Sequence, residues 1–334
     1  MEPLVFEPYL RPQVWGDRRL EELFGKPLPP EGSFGESWEI SGHRHHVSRV
    51  SDGSCKGMLL TDLCAKYSRD LFGHHVPAPF PLLIKLLDCH DWLSVQVHPT
   101  DELARKLLGE ENGKTEAWVI LHAEPTGRIY AGLRPGITRP DLERHLAAGT
   151  VVQCLHSVQP KPGDCIFLPA GTVHAVGGGV VMAEVQQSSD ATLRLYDWNR
   201  SGSPGKPRPL HIPEALESIY WHGGPIQPVP GSPLSGLPDG VRGESLVQCP
   251  YFHLTRFKLT RSLDNPHSGC LSIWMVLAGS AELRNMADEY RRFFRRGETV
   301  LVPAACAGLS WNPVLDAQPV TILDICIPLR KDES

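Results

Sequence analysis

The sequence has no C-x-x-C pair, no long apolar run, no basic stripe and no positively charged leader. Each absence excludes something. Nine cysteines, an odd number and scattered, form neither a disulfide framework nor a cysteine-built zinc site; mostly buried thiols in a reducing compartment fit them better. No apolar stretch approaches the roughly 20 residues needed to cross a bilayer, so no membrane role is expected. A net charge of −5 without a basic patch leaves no footprint for nucleic acid. The opening "MEPLVFEPYLRPQVWG" starts with an acid and lacks an apolar core, so it does not read as a secretory leader. A cytoplasmic protein is the expectation.

Glycine and proline are abundant instead, at 31 each, while continuous helical patterns are few. That combination favours many short strands joined by turns. "DELARKLLG", behind Thr100 as a possible N-cap, reads as a helix, as do "TRPDLERHLAAG", "IPEALESIYWH" and "TDLCAKYSRDLFG". Residues 222–245 are more than half Gly, Pro or Ser and read as a linker. Beyond them, "YFHLTRFKL", "LSIWMVLAGSAELR", "TVLVPAAC" and "PVTILDICI" are short β-rich runs bounded by turn residues.

Two stretches carry chemistry. In "LSVQVHPTDE" the alternation puts Leu93, Val95 and Val97 on one face and Ser94, Gln96 and His98 on the other, before Pro99 stops the strand. In "PGDCIFLPAGTVHAVGGG", Gly163, five residues, Pro169, one residue, Gly171, two residues and His174 reproduce the second signature of the cupin β-barrels. The first cupin signature would add a carboxylate after the His pair, and Glu116 in "GKTEAWVIL" is the nearest fit. Gln96, His98, Glu116 and His174 therefore form a candidate ligand set of two imidazoles, one carboxylate and one amide, a set that zinc accepts. Singly, each has a plain structural reading: a polar strand residue, a core histidine, a surface acid. "RRGETVLVPAACAGLSW" repeats the turn frame with Gly297, Pro303, Ala305 and then Gly308 where the histidine would be. The expected fold is mainly β: two cupin-like jelly-roll barrels with a few short helices inserted in the N-terminal half. The expected division is a catalytic unit at 1–221, a linker at 222–245, and a second unit at 246–334 without metal ligands.

The chain resembles the type I-like, metal-dependent mannose-6-phosphate isomerases (phosphomannose isomerases) in their short bacterial form. "VWGDRRLEELFG", "GESWEIS", "FPLLIKLLDCHDWLSVQVHP", "GKTEAWVIL", "PAGTVHAVGGGVVMAEVQQSSDATLRLYDWNR" and "GKPRPLHIPEAL" carry the resemblance over nearly the whole length. It implies one zinc ion per chain on Gln96, His98, Glu116 and His174, an essential arginine at Arg194, and a hexose 6-phosphate as small-molecule substrate. Thr100 in "HPTDE" and the His-rich "SGHRHHVS" depart from the pattern, and neither touches a proposed ligand.

Aldose–ketose isomerisation moves a proton between C1 and C2 of an open-chain sugar. It needs a base over both carbons and a cation near the developing oxyanion. Arg194 suits an anionic oxygen of either the enediolate or the phosphate, and the sequence does not separate the two. The base is open between Lys114, two residues before Glu116, and Glu184, an acid in the apolar run "VVMAEV". Pairing with Arg194 is the structural alternative for Glu184, and an exposed loop position the alternative for Lys114. Asp190 and Asp197 read as structural. Arg200, Lys206 and Arg208 crowd a Gly/Pro-rich loop as phosphate candidates. The histidines at 43–46 and His74–His75 read as solvated loop residues. Another metal-dependent cupin enzyme, dioxygenase-like, or a non-catalytic sugar-phosphate-binding cupin are the alternatives. The oligomeric state is left open.

Overall fold

The computed structural model describes residues 1–73, 79–200, 208–287, 289–314 and 319–328. Lys206, His74 and His75 lie outside the described residues. Four antiparallel sheets carry the architecture. In the large N-terminal sheet the order is Tyr9–Asp17, Phe34–His43, Leu82–Cys89, Val180–Gln187, Glu116–Ala123, Cys165–Leu168. The small N-terminal sheet runs Leu193–Tyr196, Val95–Val97, His174–Gly177, Arg128–Leu133, Leu155–Val158. The large C-terminal sheet runs Ser232–Pro233, Val241–Gln248, His253–Leu259, Val320–Cys326, Ser272–Ala278, Thr299–Val302. Leu263–Asp264, Leu309–Pro313, Ser280–Asn285 and Arg291–Arg295 make the fourth.

The expected closed cupin-like jelly-roll barrels are not there: among the described residues no sheet closes on itself. Closure requires the first and last strands to pair at a fixed stagger. Here Tyr9–Asp17 pairs with Phe34–His43 and Cys165–Leu168 with Glu116–Ala123, leaving two separate edges. The turn frames around Gly163 and Gly297 do form tight turns, with φ of 95° and 84°. A turn frame specifies where a chain reverses, and leaves open which edges meet. The first edge is blunted by Pro12, at a register shift where a missing N–H does no harm.

The sheets stack as layers. Trp118, Ile120, Ile166 and Met182 of the large N-terminal sheet meet Ile129, Ala131 and Val176 of the small one. On its other face Ile84, Leu86, Val119 and Val185 share one apolar cluster with Ile273, Met275, Leu323 and Ile325 of the large C-terminal sheet. Trp274, Trp311, Phe294 and Ile322 fill the space between the two C-terminal sheets. Trp38, Trp118, Trp274 and Trp311 are fully buried. Each removes on the order of 200 Å² from water, worth about 5 kcal/mol before entropic costs.

The helical expectations fared unevenly. Asp101–Leu108 forms with the Thr100 hydroxyl accepting from the Leu103 N–H, and Arg139–Ala147 carries a full capping box between Thr138 and Asp141. Ile212–Ser218 is helical. "TDLCAKYSRDLF" splits into Leu60–Lys66 and Ser68–Phe72, breaking at Tyr67. A helix at Arg19–Phe24, ended by Gly25 at φ 64°, was not expected.

Candidate metal centre

Sheet register assembles the site. His174 lies directly opposite Gln96, and Arg194 lies opposite Gln96 on the other side, so these three share one face of the small sheet. From the facing sheet Glu116 stands opposite Gln186, while Glu184 stands opposite Lys85 on one side and Trp118 on the other. His98 follows the end of its strand, just before Pro99 turns the chain.

The imidazoles are held in matching ways. His98 Nδ1 lies 2.7 Å from the Ala191 carbonyl and His174 Nδ1 lies 2.9 Å from the Thr172 carbonyl. A ring that donates its Nδ1–H to a carbonyl presents Nε2 as a lone pair, the orientation that metal-binding histidines adopt. Both Nε2 atoms face Glu116: His174 at 3.3 Å from Oε1 and His98 at 3.6 Å from Oε2. Burial holds both rings neutral, His174 with its pKa lowered to about 4 and His98 well below the ordinary imidazole range, with Lys114 adding to the effect on His98. Burial pushes the Glu116 carboxyl upward. Glu116 Oε1 is buried without a hydrogen-bond partner. Such an atom costs free energy unless something of opposite charge meets it. Two neutral imidazole lone pairs and an orphaned carboxylate oxygen converging on one point fit a divalent cation.

Gln96 completes the ring of polar groups. Its amide nitrogen lies 3.2 Å from His174 Nε2 and 3.5 Å from His98 Nε2, while its oxygen accepts from the Ser94 hydroxyl. A half-turn of the amide would exchange the two atoms and turn an oxygen toward the cation position.

Lys114 is buried and not an exposed loop residue. Its Nζ donates to Glu116 Oε2 and lies 3.2 Å from His98 Nε2. Glu184 pairs with Lys85 at 3.1 Å, accepts from the Trp118 indole at 3.0 Å and lies 3.8 Å from Lys114. It does not pair with Arg194. Burial raises the Glu184 pKa, but the Lys114 and Lys85 ammoniums outweigh it and hold the carboxyl ionised. Lys85 and Glu36 have no role in the sequence reading, and Asp190 only a structural one, yet all three belong here. Burial disfavours the Lys85 ammonium, and Glu184, Glu36 and Asp190 more than restore it. The signal was present: a lysine inside "PLLIKLL" is as costly as an acid inside "VVMAEV".

Arg194 is half-buried between the buried Leu193 and Leu195, and its Nε has no partner. It lines a cavity of about 500 Å³ together with Gln96, Lys114, Lys85, Glu184 and Arg208. Arg208 and Arg200 are both held by Asp197, at 2.8 Å and 2.6 Å. Asp197 thus acts structurally, as expected. Asp190 does more than that, lining the cavity and pairing with Arg11 at 3.4 Å and His45 at 3.4 Å. His43 is buried at the end of its strand and His46 stacks on Tyr9 at 4.0 Å, so the 43–46 cluster is not simply solvated.

The comparisons agree with this geometry. Residues 5–117 match the model of the "Phosphomannose isomerase type I, catalytic domain". A mannose-6-phosphate isomerase of Streptococcus mutans is 36% identical over 303 residues, covering 90% of this chain and 92% of that one. One from Bacillus subtilis is 35% identical, covering 90% and 93%. The crystal structure of a mannose 6-phosphate isomerase from Bacillus subtilis superposes with a TM-score of 0.88 at 29% identity, covering 98% of this chain and all of that one. With the buried His98, Glu116 and His174 triad in place, the chain belongs to the type I mannose-6-phosphate isomerase (phosphomannose isomerase) family.

Proposed function

We propose that this protein interconverts D-mannose 6-phosphate and D-fructose 6-phosphate, with one zinc ion per chain held by Gln96, His98, Glu116 and His174. The observation that carries the reading is the cavity of about 500 Å³ beside the triad, whose wall joins Lys114, Lys85, Glu184 and Arg194. A bound divalent ion supplies Lewis-acid polarisation of sugar oxygens.

The chain's own groups supply the rest. Lys114 handles the proton between C1 and C2, since its Nζ sits at the junction of the ligands and the cavity. Glu184, ionised between two ammoniums, keeps both lysines oriented and is the second candidate for that proton. Arg194, with an unengaged Nε, offers donors to the oxyanion that develops as the proton moves. Arg208 and Arg200 both pair with Asp197, and Arg200 also lies 3.7 Å from Asp91; Arg208 lines the cavity, and these two arginines with Lys206 are the proposed phosphate donors. Residues 1–221 form the catalytic unit, joined through 222–245 to a second unit at 246–334. Nine free cysteines suit the cytoplasm. No helix among the described residues is long and apolar enough to cross a membrane.

A coupled assay with mannose 6-phosphate tests the reading. Activity should disappear on full metal removal and return when zinc is restored. Undiminished turnover in metal-free protein would overturn the metal assignment, and no turnover in zinc-loaded protein would overturn the reaction.

A further inference from the structure

The C-terminal sandwich carries its own convergence of donors. Asp324 and Cys326 are two apart on the strand Val320–Cys326 and share its inner face with Trp274 and Ser272, their partners across the sheet. His267 reaches them from the loop preceding the strand Ser272–Ala278. Its Nε2 lies 2.7 Å from Asp324 Oδ2 and 3.2 Å from Cys326 Sγ, and Sγ lies 3.5 Å from Asp324 Oδ1. Asp324 is buried, whereas the His267 side chain is 25% exposed, so the cluster opens to solvent on one side.

The arrangement is not a nucleophile relay. A relay uses both ring nitrogens, one toward the thiol and one toward the acid. Here the single atom Nε2 makes the shortest contact to each. One donor atom from each of the three residues lies within 4.8 Å of the other two, a spacing that one shared ion can bridge. With metal–ligand bonds of about 2.0–2.3 Å, a tetrahedral ion needs His267 Nε2 and Asp324 Oδ2 to part by about 0.6 Å from their present 2.7 Å. His267 and Cys270 bracket a turn closed by the Cys270 N–H on the His267 carbonyl at 3.3 Å, with Gly269 at φ 79°.

We propose that His267, Asp324 and Cys326 bind a second divalent transition-metal ion of the zinc class. The His/Asp/Cys mixture of nitrogen, oxygen and sulfur selects that class over magnesium or calcium. The site ties the turn at 267–270 to the strand Val320–Cys326. Nothing in the turn frame at Gly297–Gly308 anticipates it, because its donors come from other positions.

The sulfur gives the test its discrimination. The N-terminal triad has only nitrogen and oxygen donors, so a thiolate-to-cobalt charge-transfer band cannot come from it. Reduced, metal-stripped full-length protein is titrated with cobalt(II) alone. The expected result is two ions per chain and a thiolate band that Cys326→Ser and His267→Asn each abolish while one ion remains. Glu116→Gln should keep the band and lose the other ion. Saturation at one ion without a thiolate band in folded wild-type protein would overturn the site. So would a band that survives both Cys326→Ser and His267→Asn.

Discussion

The N-terminal and C-terminal halves are two versions of one strand order. Val180–Gln187 sits between Leu82–Cys89 and Glu116–Ala123, just as Val320–Cys326 sits between His253–Leu259 and Ser272–Ala278. Register makes the match residue by residue. Glu184 faces Lys85 and Trp118; Asp324 faces Thr255 and Trp274. Gln186 faces Glu116; Cys326 faces Ser272. The same backbone thus holds a cavity lined by charged side chains in one copy and, in the other, an aromatic core with one acid at its rim. Fold leaves the chemistry undecided, and a handful of inward positions decides it.

The comparison predicts where substitutions bite. Glu116→Gln removes the only anionic member of the triad, so kcat/KM should fall by at least about three orders of magnitude, the equivalent of several kcal/mol of lost charge stabilisation. Equilibrium dialysis should find the N-terminal ion lost as well. A variant that keeps its activity would sever activity from the triad.

The paired tryptophans make a smaller, matched contrast. Trp118→Phe deprives the Glu184 carboxylate of its indole donor, while Trp274→Phe deprives only the Ser272 hydroxyl. Hydrogen bonds to charged groups are worth more, so Trp118→Phe should destabilise by about 1–2 kcal/mol beyond Trp274→Phe in denaturant unfolding. Equal costs would mean that the two positions are energetically alike despite their neighbours.

Acid should act differently on the two halves. Burial, then His45, lowers the His43 pKa from 6.5 to about 4. The unfolded chain therefore binds a proton that the folded chain refuses, and stability is lost as pH falls from about 6.5 toward about 4. Asp324 has the opposite sign: burial raises its pKa, so its share of stability is present at low pH and is lost as pH rises through the folded value. His43→Gln should flatten the acid limb of a stability–pH profile measured between pH 4 and 7; an unchanged limb would exclude His43 as its source.

Thr138→Ala should cost the least. It removes the cap of a helix in the half that carries all the described α-helices, at about 1 kcal/mol, with kcat unaltered. Loss of turnover in that variant would mean that the inserted helix reaches the cavity.

Much of the site was legible because its residues break local rules in sequence. Gln96 and His98 alternate with valines, Glu184 interrupts an apolar run, and His174 follows a turn frame. Lys85 breaks the same rule inside "PLLIKLL", but with no ligand-like neighbour two residues away nothing local ties it to the site. Helix caps at Thr100 and Thr138 were readable, being local chemistry. Barrel closure was not, because pairing between distant edges leaves no trace in turn residues. The Asp324–Cys326 spacing was hidden too: a lone cysteine on a strand looks like core, and only the arrival of His267 from another loop gives it a partner.

The central claim is that the N-terminal copy alone holds its ion with nitrogen and oxygen donors, at His98, Glu116 and His174. Crystals of zinc-loaded protein, measured on both sides of the zinc absorption edge, test it most directly. The account predicts an anomalous peak within bonding distance of both Nε2 atoms and a Glu116 oxygen. Fully occupied zinc elsewhere, with that point empty, would contradict it.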